Sequence, residues 1–197
     1  MSVVERRLCG ILLAAGRASR FGSNKIAALL PDGATVGVVA ATRLTAAVDD
    51  VLVVVGERDG ESERLFRQVG LRTVFCAQAA RGMASSLGCG VRAAGTDVDY
   101  LIALADMPFI RQETIAALSD ALRAGADIVV PSYRGRHGHP VGFRAHYRAQ
   151  LLALTGDKGA RSIIDQDPSS VTCLEMDDAG ILRDIDRPED LSAARAE

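Results

Sequence analysis

The chain has 197 residues, of which 48% are hydrophobic and 24% charged, with a formal net charge of −2 and a pI near 5.9. This is the composition of one globular domain and excludes a disordered tail, while a slightly acidic chain lacks the basic face that generic nucleic-acid binding requires. Aromatics are only 4% and Trp is absent, which removes a stacking platform for single strands and leaves the core to Val, Leu, Ile and Ala.

In chain order, short apolar runs alternate with helical stretches. Leu8–Ala14 reads as a first buried strand, although Arg6-Arg7 ahead of it imitates a signal peptide. Arg17 and Arg20 follow the run at once and argue against export. Val36–Ala47 reads as a helix and Val51–Val55 as a strand. The five successive aliphatic residues of that strand suit a parallel strand covered on both faces. Glu61–Val69 is a helix candidate, Arg72–Phe75 a strand, Met83–Ala94 a helix and Tyr100–Leu104 a strand. Arg111–Ala124 places Ile115, Leu118 and Leu122 on one helical face. Ile128–Val130, Val141–Phe143 and Val171–Leu174 complete the strands. Between Pro131 and Gly142, Gly135, Gly138 and Pro140 mark a loop or hairpin over the ligand side. The alternation predicts an open α/β sheet, mostly parallel, with right-handed crossovers and helices on both faces. A ligand is expected outside the carboxyl ends of the strands.

No apolar stretch reaches the ~20 residues of a membrane span. Cys9, Cys76, Cys89 and Cys173 are scattered without a CxxC pair, and a disulfide framework would be denser. Four reduced thiols in a cytoplasmic protein are therefore expected.

The segment Leu13-Ala14-Ala15-Gly16-Arg17-Ala18-Ser19-Arg20-Phe21-Gly22-Ser23-Asn24-Lys25 is the most informative. Small residues after a buried strand allow close backbone approach to a ligand, and free loop N–H groups can cradle phosphate oxygens. Arg17, Arg20 and Lys25 add the charge that a polyphosphate needs. A solvated basic turn is the plain alternative. The loop is neither GxxxxGK[ST] nor GxGxxG. Asp106, just beyond the strand Tyr100–Leu104, reads equally as a metal ligand or as a cap for the helix near Arg111. Asp186 reads as a residue at a helix start, with Pro188 suited to the first helical position and Glu189 and Asp190 to the first turn.

The signature LAAGRASRFGSNK resembles the LAAGxSxRxGxxK motif of cofactor and sugar nucleotidyltransferases, and within them the molybdenum cofactor cytidylyltransferases of the MobA-like superfamily. Five later segments extend the resemblance over nearly the whole chain: GMASSL from Gly82, ADMP from Ala105, GHPVGF from Gly138, GDKGAR from Gly156 and DIDRPEDL from Asp184. The resemblance implies a three-layer, Rossmann-like nucleotidyltransferase fold in a single domain. It implies CMP transfer from CTP to the phosphate of molybdenum–molybdopterin, with release of pyrophosphate. Lys25, Arg20 and Asp106 would then be catalytic, and Asp106 and Asp186 would hold Mg²⁺ or Mn²⁺, with Asp184 a neighbour. Leu13, Ala14, Ala15, Gly16, Arg17, Gly82, Ser85 and Ser86 would bind the nucleotide. His139, Pro140, Asp157 and Arg161 would line the acceptor side, with Lys158 beside them, while His137 and His146 are read as structural.

The departures from the family pattern are Ala84 where Ser is common and Cys76 where Asn is expected, with Gln78 a substitute amide. Ala15 beside Gly16 favours cytidine over guanine. A different nucleotide, a sugar or polyol phosphate acceptor, or a cofactor-delivery chaperone for a molybdenum hydroxylase are the alternatives. No nucleic-acid or membrane partner is expected.

Overall fold

A computed structural model describes residues 6–16, 21–58, 60–157 and 159–195. The predicted strands form within a residue or two of the expected bounds for most elements. The strands are β1 (Arg7–Leu13), β2 (Asp50–Val55), β3 (Arg72–Phe75) and β4 (Val98–Leu104), then β5 (Ile128–Tyr133), β6 (Arg136–His137), β7 (Val141–Phe143) and β8 (Val171–Glu175), of which β6 is additional and lies in the zone read as a loop or hairpin. One sheet contains them all in the order β3-β2-β1-β4-β7-β5-β6, with β8 on the other edge of β5. The first four strands are parallel, and β8 runs parallel to β5. β7 is antiparallel to both β4 and β5, and β6 returns from β5 as a hairpin. That hairpin occupies the Gly-rich zone after Pro131.

The helices are α1 (Val36–Thr45), α2 (Glu61–Gln68), α3 (Met83–Ala94), α4 (Gln112–Arg123), α5 (Arg148–Ala153) and α6 (Arg161–Gln166). Alternation along each strand separates two cores, because successive side chains point to opposite faces. Leu8 and Leu12 of β1 join Val51, Val53 and Val55 of β2 beneath α1, α2 and α4. Ile11 and Leu13 join Leu52 and Val54 beneath α3, α5 and α6. Runs apolar at every position are thus what a strand needs when helices cover both of its faces. Gly90 lets α3 settle onto the sheet, since a Cβ there would strike Ile11 and Val54.

The sheet changes winding direction at β1, with β2 on one side and β4 on the other. Backbone bonds carry the strand ends into their loops: Ala14 N–H donates to the Val54 carbonyl at 2.9 Å and Ala105 N–H to that of Leu13 at 3.0 Å. A crevice beyond the carboxyl ends of β1 and β4 is the topological switch point of such a sheet.

The expectation of four reduced thiols is corrected at one pair. Cys76 and Cys89 form a disulfide with a Cα–Cα distance of 5.9 Å, while Cys9 and Cys173 are free. Spacing in sequence hides this pair, because it is the packing of α3 against the end of β3 that brings the two within bridging range. No described helix is long and apolar enough to cross a membrane.

Candidate active site

At the crevice, Lys25 is almost fully buried, although an isolated ammonium is costly to bury. Its Nζ lies 2.7 Å from Asp106 Oδ2 and 3.0 Å from Asp186 Oδ1. Burial pulls the Lys25 pKa down, but hydrogen bonds and charge from Asp106 and Asp186 outweigh it and the net shift is upward. Three residues far apart in sequence therefore converge on one charged centre.

Each is held by a different device. Asp106 follows β4, and its carbonyl accepts the Ile185 N–H at 2.9 Å, which ties the two acidic segments together. The turn after Asp106 is pinned by Arg43 of α1, whose Nη1 donates to the carbonyls of Pro108 and Ile110. Asp186 sits just before a 3₁₀ helix, Pro188–Arg195. The Asp190 carboxylate accepts the N–H groups of Asp186 at 2.9 Å and Arg187 at 2.7 Å, and these bonds hold its pKa below the usual carboxylate range. Asp184 is close enough that burial, with Asp186 and Asp106 adding to it, raises its pKa. Asp106 does not cap α4. The start of α4 is instead held by Asp178, which accepts the N–H of Arg111, the residue before the helix, at 2.8 Å.

A cavity of about 310 Å³ opens beside this centre, lined by Leu13, Ala14, Ala15 and Gly16 of the loop after β1 and by Lys25, Asp106, Gly82, Ser86 and Asp157. Ser85 faces a separate surface hollow with Gln78 and Arg92. Beyond Ala14–Gly16 lies a polar hollow of about 530 Å³ with Asn24, Glu57, Glu61 and Ser62 at its wall. Asn24 Nδ2 donates to Glu61 Oε2 at 3.0 Å and to Ser62 Oγ at 2.9 Å. Sequence reading missed this wall, because Glu61 looks like an ordinary first-turn acid of α2 and Glu57 like a loop residue ahead of it.

On the opposite side, an apolar chamber of about 210 Å³ is lined by Leu13, Leu87, Leu104, Val141, Ile164 and other aliphatic residues. His137, His139, Asp157 and Arg161 supply its polar groups. His137 is thus a wall residue as well as part of β6. Asp157 borders both cavities and accepts the Met83 N–H at the start of α3 at 3.3 Å. Gly82 has φ 119°, and a Cβ there would strike Asp157 and the Gly156 backbone. His139 N–H donates to the Ile181 carbonyl at 3.0 Å, while its Nδ1 is sealed from solvent with no hydrogen-bond partner among the described residues. Burial lowers the His139 pKa, with Asp106 opposing it, and the ring is neutral at pH 7. Pro140 is buried after a cis peptide bond and does not itself line the chamber. Arg17, Arg20 and Lys158 lie outside the described residues.

The donor set suits a hard divalent cation. Two carboxylate oxygens already meet at one cationic point, and Mg²⁺ or Mn²⁺ commonly takes few protein carboxylates and completes its shell with water and phosphate. Among the described residues no cluster of three or more His, Cys, Asp or Glu forms a closed all-protein cage.

Comparison with known proteins identifies the family. The chain is 32% identical over 200 residues to the purine catabolism protein PucB of Bacillus subtilis, covering 95% of this chain and 96% of that one. It is 30% identical over 194 residues to nicotine blue oxidoreductase of Paenarthrobacter nicotinovorans, covering 92% and 93%. Among solved structures, Rv0371c of Mycobacterium tuberculosis superposes with a TM-score of 0.81 at 25% identity, covering 95% of this chain and 96% of that one. The same mycobacterial protein, solved in complex with manganese, superposes with a TM-score of 0.70 at 21% identity over 88% and 89% of the two chains. Residues 10–171 match the MobA-like NTP transferase domain, and the chain belongs to that family.

Proposed function

We propose that the protein transfers CMP from CTP to the phosphate of a molybdenum–molybdopterin acceptor, releasing pyrophosphate, and that the chain acts as one domain in the cytoplasm. The observation that carries this reading is the convergence of Lys25, Asp106 and Asp186 beside the small-residue loop Leu13–Gly16.

In the reaction, an acceptor phosphate oxygen forms a bond to the α-phosphorus of CTP as the bond from that phosphorus to the β-bridging oxygen breaks. The acceptor phosphate is already ionised at neutral pH, so no general base is needed and catalysis rests on positioning and charge. Asp106 and Asp186 would hold Mg²⁺ or Mn²⁺. Bound there, the cation supplies charge neutralisation between two anions and a template for the transfer. The N–H groups of the loop after β1 and the ammonium of Lys25 receive the phosphate oxygens. Arg17 and Arg20 are assigned to the same task from the sequence motif.

The two flanking cavities separate the ends of the reactants. Glu57 and Glu61 repel phosphate and suit amino or hydroxyl groups, so the nucleoside end is assigned to that hollow, with Gly82 and Ser86 in the adjoining cavity beside the phosphates and Ser85 assigned to the nucleotide from the sequence motif alone. The chamber around His139 is walled by aliphatic side chains. A flat heteroaromatic body such as a pterin gains from that wall, while His137, His139, Asp157 and Arg161 leave partners for its polar edge. Asp157, Arg161 and the His139–Pro140 turn lie on this acceptor side.

Pyrophosphate release measured with CTP and with GTP, each with the molybdopterin cofactor or with a sugar phosphate, tests the assignment. Release that requires CTP and the pterin is expected. Release with a sugar or polyol phosphate instead would reassign the acceptor, and tight cofactor binding without release would favour delivery to a molybdenum hydroxylase. The name of the second relative raises an oxidoreductase reading, which consumption of a reduced electron donor without pyrophosphate would favour.

A further inference from the structure

The Lys25 ammonium stands where the two carboxylates of the site meet, bridging Asp106 Oδ2 at 2.7 Å and Asp186 Oδ1 at 3.0 Å. A divalent cation seeking both oxygens meets a competitor already in place. The competitor is strong because its contacts are charge-assisted and the Lys25 side chain is only 11% exposed. It is also able to leave. The Lys25 carbonyl accepts the Ala28 N–H at 3.3 Å and the neighbouring Ile26 carbonyl accepts the Gly37 N–H at 2.9 Å, so the backbone is anchored and any exchange of partners falls to the four-carbon side chain, which lines the open cavity. The cavity of about 310 Å³ that Lys25 lines opens towards Ala14–Gly16, the loop assigned to the triphosphate.

We propose that Lys25 locks the carboxylate pair in the nucleotide-free protein and that the incoming triphosphate draws its ammonium away, so that divalent cation and nucleotide bind cooperatively. This rests on the assignment of Asp106 and Asp186 as cation ligands. Without a triphosphate, taking both carboxylates strips Lys25 of its partners and sets a second positive charge beside it. With a triphosphate, the same lysine exchanges carboxylate oxygens for phosphate oxygens at little cost. The coupling is reciprocal: whatever the nucleotide does for cation affinity, the cation does for nucleotide affinity. The site thereby discriminates against a free divalent cation and accepts one that arrives with its nucleotide.

The test uses the full chain and Mn²⁺ alone, read by loss of the free-Mn²⁺ electron paramagnetic resonance signal, in wild type and in Lys25→Met, Lys25→Arg and Asp106→Asn variants. Lys25→Met should bind Mn²⁺ at least about tenfold more tightly than wild type without nucleotide, the factor given by about 1.4 kcal/mol and at the low end for hydrogen bonds to charged groups. Lys25→Arg, which keeps a cation on the pair, should stay weak, and Asp106→Asn should bind more weakly than Lys25→Met by at least tenfold. Thermal unfolding of Lys25→Met should show a larger rise with added Mn²⁺ than wild type, which separates tighter binding from a folding defect. Equal or weaker Mn²⁺ binding by Lys25→Met overturns the proposal, as does absence of binding in every variant. If Lys25→Met tightens Mn²⁺ binding but wild type releases pyrophosphate from no nucleotide, the lock stands and the transferase reading fails.

Discussion

Replacing Asp178 by Ala tests how the acceptor side is built. This carboxylate is only 2% exposed. It accepts the Arg111 N–H at 2.8 Å, the Thr114 hydroxyl at 2.7 Å and the Gly180 N–H at 2.9 Å, joining the start of α4 to the 3₁₀ turn Ala179–Leu182. Removing it strands three donors in a dry setting. Each costs about 1–3 kcal/mol and the sum is less than additive, so a loss of roughly 3–5 kcal/mol is expected. At ~2–4 °C per kcal/mol for a chain of this size, the melting temperature should fall by roughly 10 °C. Asp178→Asn, which keeps an acceptor of the same shape, should lose less, and Thr114→Val about 1 kcal/mol. Because the Ile181 carbonyl in that turn accepts the His139 N–H, Asp178→Asn should also raise KM for the acceptor more than for the nucleotide. Urea and thermal unfolding read the stability, and the two KM values read the site. An Asp178→Ala protein within ~1 kcal/mol of wild type would refute the role of this carboxylate as a hub.

Three further outcomes are expected. Under non-reducing conditions, mass mapping should find Cys76 and Cys89 joined, and breaking the bond across 13 residues should cost about 3 kcal/mol of stability; in the folded protein Cys173 should alkylate readily, whereas Cys9, whose pKa burial and Asp50 push up to about 11, should resist. Burial holds the folded His139 pKa below its ordinary value, so the unfolded chain binds the extra proton first; stability should therefore fall as pH drops below ~6.5 towards the folded pKa, and unfolding curves of His139→Gln should lack that share of the acid-side loss. Asp190→Ala releases the two N–H groups that orient Asp186; Mn²⁺ binding in the presence of CTP should weaken about tenfold with little change in melting temperature, and Asp190→Asn should recover part of it.

The parts of the fold legible in the sequence were those with a repeated physical signal. The aliphatic run Val51–Val55 announces a strand covered on both faces because no polar residue interrupts either side, and Ile115, Leu118 and Leu122 announce α4 by spacing. The run Val141–Phe143 marks a strand equally well, yet nothing in three apolar residues encodes its antiparallel direction. The helices α5 and α6 have six residues each, too few for a periodic pattern to emerge, and their stability comes from packing against the sheet. The candidate site divides in the same way. Asp106 is exposed to sequence reading by its place after a buried strand, while its α4-capping alternative fails only when Asp178 is seen to hold the Arg111 N–H. Asp190 looks like an ordinary first-turn acid and is instead the support that aims Asp186.

The common reason lies in how charge is managed across distance. Local pattern reports burial well because every apolar residue contributes independently to it. It reports a polar site poorly, because the worth of a buried charge depends on which distant group faces it. Lys25 shows both halves. Its position in a loop after β1 suggests phosphate binding from sequence, but only the approach of the Asp184–Asp186 segment, fastened by the Ile185 N–H to the Asp106 carbonyl, makes it the occupant of a carboxylate pair. A lysine so placed has the two acids as its partners, and in the proposed reaction it would take phosphate oxygens in their stead. On the proposed reading the chemistry assigned to the site follows from that exchange, since the ammonium that pairs with Asp106 and Asp186 is the one a triphosphate would draw to itself.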